Sequence, residues 1–75
     1  MARWQSGRTD PETGARLATA RVNKGLTQLD AAKGVGVSVF TITNWEHART
    51  EPTASQLKTL CCLYGITPNQ ILGVV

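Results

Sequence analysis

The chain is poor in the residues that hold metals or close covalent bridges. Cys61, Cys62 and His47 are its only cysteines and histidine in 75 residues. Adjacent helical cysteines point about 100° apart and cannot close an ordinary disulfide. A zinc site wants further ligands at defined spacing, and the one histidine is distant from the cysteines. No disulfide, metal or cofactor is therefore expected: Cys61 reads as a small core residue and Cys62 as a partly exposed free thiol. No apolar run approaches the ~20 residues that span a bilayer, and MARWQSGRTD lacks the apolar centre of a signal peptide. These absences predict a cytoplasmic protein with no membrane partner. There is no Ser/His/Asp or Cys/His set and no phosphate-cradling glycine loop, so an enzyme has little support. Acid is scarce as well: five acidic against eight basic residues leave a formal charge of +3. That balance suits a polyanionic partner, but many unrelated small domains share it.

What remains is short helical segments punctuated by glycine. A chain this small makes one domain with a marginal core, for which locally packed helices are economical. Residues 1–9 lack periodicity and are expected to form a mobile arm, its Trp4 packing back on the body; residues 10–75 form the domain. Asp10 and Pro11 look like the cap and first residue of a helix running to about Lys24, although Gly14 weakens its first turn. Gly25 closes that helix, and Leu26 follows as a staple residue. Thr27 caps a second helix over about Gln28–Gly34, and Ser38 caps a third that runs to about Glu46. Pro52 opens a fourth helix through Tyr64, on which Leu57, Leu60, Cys61 and Tyr64 form one apolar stripe. After Gly65, Thr67 and Pro68 start a short fifth helix carrying Ile71 and Leu72. The fold class is all-α, a bundle of five short helices.

The run QLDAAKGVGVSVFTITNWEH, residues 28 to 47, is the most informative part of the chain. Ala32 is small where one helix must lie against the next, and Gly36 stands where a sharp turn calls for positive φ. Ala31, Val35, Val37, Ile42 and Trp45 supply the inward side. This is the pattern of a helix-turn-helix, whose second helix is sized for a DNA major groove. With Ile42 and Trp45 inward at about 100° per residue, Phe40, Thr43, Asn44 and His47 point outward, and Val39 and Thr41 flank them.

The chain resembles the lambda-repressor-like, Cro/C1-type helix-turn-helix regulators, the XRE family. The resemblance spans about Leu17 to Leu72. It is carried by RVNKGLTQ at 21 to 28, GVS at 36 to 38, NWE at 44 to 46, Pro52, and LYGITPNQIL at 63 to 72. It implies a structural ion pair between Arg21 and Glu46. It also implies phosphate contacts from Thr27, Gln28 and Ser38 at helix starts, and from His47, Arg49 and Thr50 after the third helix, with Arg49 the best placed. Ala48 stands where the family commonly has glycine. Base reading falls to Val39, Phe40, Thr43 and Asn44: the amide of Asn44 suits adenine, and the apolar pair suits thymine methyl groups.

The implied function is a double-stranded DNA-binding transcriptional repressor that recognises a palindromic operator as a homodimer. The fifth helix with Leu72, Val74 and Val75 would supply the self-contact. An alternative keeps the fold but makes the chain an antitoxin or regulatory partner, binding another protein through Phe40 and the C-terminal apolar residues. Salt-dependent duplex binding separates the two.

Overall fold

The computed structural model describes residues 11–72. Five helices form there: α1 (Pro11–Asn23), α2 (Gln28–Val35), α3 (Val39–Glu46), α4 (Ala54–Tyr64) and α5 (Pro68–Leu72). The expected arm, the Asp10 cap, and Val74 and Val75 lie outside the described residues. No helix among the described residues is long and apolar enough to cross a membrane.

A three-residue connector recurs between helices, and its chemistry explains why the chain stops and restarts where it does. Gly25–Leu26–Thr27, Gly36–Val37–Ser38 and Gly65–Ile66–Thr67 each begin with a left-handed glycine, at φ of 80°, 85° and 72°. Each glycine ends a helix at low conformational cost. The apolar residue that follows donates its N–H back across the last turn: Leu26 to the Arg21 carbonyl, Val37 to Ala32 and Ile66 to Cys61, at 3.0–3.1 Å. All three apolar side chains are half-buried and pack on the core. The hydroxyl residue then accepts the N–H three residues on, from Asp30, Thr41 and Gln70 at 3.0, 3.1 and 3.3 Å. One short unit thus satisfies a helix end, plugs the core and starts the next helix.

The end of α3 uses the same turn with different residues. Arg49 N–H donates to the Asn44 carbonyl at 2.9 Å, and Ala48 takes the glycine's place at φ 59°. A Cβ in the left-handed region costs roughly 1 kcal/mol. Ala48→Gly is therefore expected to raise stability by about 0.5–1 kcal/mol, because relief of strain outweighs the extra freedom gained by the unfolded chain. A urea midpoint that fell or stayed unchanged would show that the loop is not strained there.

The start of α4 corrects the sequence reading. Pro52 is buried ahead of the helix, outside its first turn, and Thr53 is the cap. Thr53 Oγ1 accepts from Gln56 N at 3.1 Å while Gln56 Oε1 accepts from Thr53 N at 2.8 Å. This reciprocal pair satisfies two backbone donors, which is why the helix starts one residue after Thr53.

The stripe of α4, Leu57, Leu60, Cys61 and Tyr64, lies in the core with Leu17, Ala31, Ala32, Ile42, Trp45 and Ile71. Full burial of a residue such as Ile42 or Leu60 contributes about 1.5–3 kcal/mol. Ala31 and Ala32 are 0% and 2% exposed, because α2 is packed between α3 and α4. α1 rests on α3 and α5. The inner face of α3 is thereby held from two sides and its outer face is left free.

Candidate nucleic-acid interface

The interface is anchored from below by charge. Arg21, in the last turn of α1, grips Glu46 at the end of α3: Nε donates to Oε2 at 2.7 Å and Nη2 to Oε1 at 3.3 Å. Its Nη1 donates to the Leu26 carbonyl at 2.8 Å, so one guanidinium ties together α1, the α1–α2 turn and α3. The two side chains are only 13% and 6% exposed. Hydrogen bonding to the carboxylate holds the Arg21 pKa above its ordinary value despite burial. Beside them, burial and then the charge of Glu46 push the Tyr64 phenol up to about 12, so it stays neutral.

Gln28 extends this anchor toward the outer face. Its Nε2 donates to Glu46 Oε1 at 3.0 Å, and its Oε1 accepts from Thr43 Oγ1 at 3.2 Å. The expectation for Gln28 was a side chain turned to phosphate. Its amide is instead engaged between α2 and α3, with one Nε2 hydrogen remaining. Thr43 is half-buried, and its hydroxyl also lies 3.1 Å from the Val39 carbonyl. The outward face is thus less uniform than the helical angle predicts: Thr43 turns partly back to α2.

Phe40 and Val39 keep the outward direction that helical geometry gives them. Phe40 is 73% exposed and Val39 37%. Asn44 is half-buried, and its Oδ1 accepts from Arg49 Nη1 at 3.4 Å. Arg49 is exposed at the turn position that holds Leu26, Val37 and Ile66 in the other connectors, so a cation stands where the rest of the chain puts a core plug. His47 Nδ1 is 2.9 Å from the Thr43 carbonyl. A carbonyl only accepts, so Nδ1 is the donor in this contact. Thr50 is exposed beyond it. Ser38 Oγ caps α3 and lies 3.0 Å from Thr41 Oγ1.

Thr27 caps α2 as expected, and Asp30, which the sequence reading did not single out, makes the cap reciprocal. Its N–H donates to Asp30 Oδ2 at 2.9 Å, and its hydroxyl accepts from Asp30 N. These bonds, first the backbone one, hold the Asp30 carboxyl below its ordinary value. The Asp30 carboxylate thus sits at the amino end of α2, and the Thr27 hydroxyl, which only accepts in this cap, keeps its proton for a further acceptor. The spacing T-x-x-D was the available signal. Leu29 and Val22, 51% and 60% exposed, were also not singled out. Among the described residues, no group of three or more His, Cys, Asp or Glu could hold a metal ion. Cys61 is buried, which pushes its thiol up, and Cys62 is exposed.

Two helices joined through a left-handed glycine, the second presenting an unburied face of apolar and polar groups with the cation of Arg49 in the turn after it, define a helix-turn-helix domain of the DNA-binding class. The chain belongs to the Cro/C1-type, lambda-repressor-like helix-turn-helix family, whose profile matches residues 17–71. It is similar to the P22 c2 repressor, solved in complex with a synthetic operator. That match has 32% identity and a TM-score of 0.75, over 80% of this chain and 91% of that one. It is also similar to the clp gene regulator ClgR from Corynebacterium glutamicum, at 28% identity and a TM-score of 0.77, over 83% of this chain and 67% of that one. SinR, solved with DNA, shares the fold at 21% identity and a TM-score of 0.73, over 80% of this chain and 97% of that one. No curated protein matches the chain by sequence.

Proposed function

We propose that this DNA-binding transcriptional regulator is a cytoplasmic repressor that lays α3 in the major groove, reads a palindromic operator as a homodimer, and carries out no catalysis. The observation that carries this reading is the outer face of α3, where Phe40 stands exposed on the side opposite the buried Ile42 and Trp45. A two-fold pair places a second α3 one helical turn along the duplex. Val39 and Phe40 contact thymine methyl groups, while Thr43 and Asn44 meet polar base edges. Arg49 and Thr50 hold phosphates, assisted by His47, the hydroxyls of Thr27 and Ser38, and the remaining amide hydrogen of Gln28.

Titrating duplexes at several salt concentrations tests this. Arg49→Ala is expected to weaken all duplexes about equally and to shrink the slope of log K against log salt by roughly one unit. Phe40→Ala is expected to keep the fold and nonspecific affinity but lose roughly 1–3 kcal/mol at one base position per half-site. Uracil in place of that thymine should cost the native protein similarly and the variant little. A native protein with no salt-dependent duplex binding would overturn the reading and leave Phe40 as a contact for another protein.

A further inference from the structure

We infer that Thr43 meets the operator as a hydrogen-bond acceptor, and therefore that its contact in the major groove is the amino group of a base pair, adenine N6 or cytosine N4, and not a ring nitrogen or a carbonyl oxygen. The inference rests on the major-groove reading of α3 above and adds the chemical group that one side chain meets.

The argument is a chain of forced donors and acceptors. Arg21 can only donate, and Glu46 as a carboxylate can only accept. Glu46 Oε1 lies 3.0 Å from the amide of Gln28, so the amide must present Nε2 to it. That fixes the sense of the amide and leaves Oε1 for Thr43, 3.2 Å away. The second polar neighbour of the Thr43 hydroxyl is the Val39 carbonyl at 3.1 Å, again an acceptor. A hydroxyl has one proton, and here both neighbours within α2 and α3 compete for it. What Thr43 has left for a third partner is a lone pair. In the major groove only adenine N6 and cytosine N4 donate; guanine and thymine offer acceptors at the corresponding edges. A buried ion pair between residues 21 and 46 thus sets, through Gln28, the hydrogen-bond sense of a side chain on the reading face.

The test is selection of binding sites from a random duplex pool by the native protein and by Thr43→Val, which keeps the shape and removes the hydroxyl. The native consensus is expected to hold one base pair per half-site that the variant no longer prefers. Removing the amino group of that pair, with purine for its adenine or 2-pyrimidinone for its cytosine, should weaken native binding about ten-fold and leave the variant's unchanged, in line with one lost base contact. The analogue measurement on the native protein stands alone if Thr43→Val fails to fold. Identical consensus sequences would overturn the inference, as would indifference of the native protein to the analogue. A native protein that selects no duplex at all would instead sink the DNA reading on which the inference rests. The two failures are therefore distinguishable.

Discussion

Arg21→Ala is expected to destabilise the domain by about 3 kcal/mol or more, a large part of the stability available to a domain this size. The reason is what the substitution leaves behind. The Glu46 side chain is 6% exposed and would be left with only the Gln28 amide donating to it, and the Leu26 carbonyl would lose its Nη1 donor. A buried carboxylate stripped of its cation costs far more than the intact pair contributes. Arg21→Lys should lose less, since the charge remains and the two-pronged contact to Oε2 and Oε1 does not. Urea unfolding at constant m-value measures both, and a cycle with Glu46→Gln isolates the coupling. Coupling near zero would show that Arg21 acts only through packing.

The ion pair was implied by family resemblance; residue spacing alone does not indicate it, because positions 25 residues apart meet only once α1 crosses α3. Local chemistry was far more legible. The Gly–apolar–hydroxyl connectors, the 3.6-residue stripe on α4 and the outward direction of Phe40 all follow from neighbours within a turn or two. The fixed φ of Pro52 suits a first helical turn, but the T-x-x-Q box beside it, Thr53 with Gln56, sets the start of α4 after the proline. The engagement of Gln28 had no local signal. Its side chain reaches Glu46 and Thr43 on another helix, and nothing in RVNKGLTQ distinguishes that from a solvated amide. The candidate site was therefore readable as a face and a turn, and unreadable in its cross-helix hydrogen bonds.

Gly14 is where local reading misleads most. In an exposed first turn, glycine would be a weakness that alanine repairs by about 1 kcal/mol. Gly14 is instead buried, where α1 meets the end of α3. A Cβ there would sit 2.7 Å from the Glu46 carbonyl oxygen and 2.8 Å from that of Trp45. Both are backbone atoms of α3 and cannot swing aside, so α1 or α3 must shift. We expect Gly14→Ala to lose about 2 kcal/mol or more net of the propensity gain, lowering the melting temperature by about 8–16 °C. Gly34→Ala is the control. Its Cβ would meet Leu63 Cδ2 at 2.8 Å, the far end of a half-buried side chain that can rotate. Helix propensity should then offset the contact and leave stability near the native value. The difference between the two variants isolates close backbone approach from crowding in general. Equal melting temperatures for Gly14→Ala and the native protein would mean that α1 can lift from α3 at little cost. Arg21 would then have to reach Glu46 over a longer gap, so in that case the loss on Arg21→Ala should shrink in the Gly14→Ala background. If α1 is clamped as described, the loss should persist.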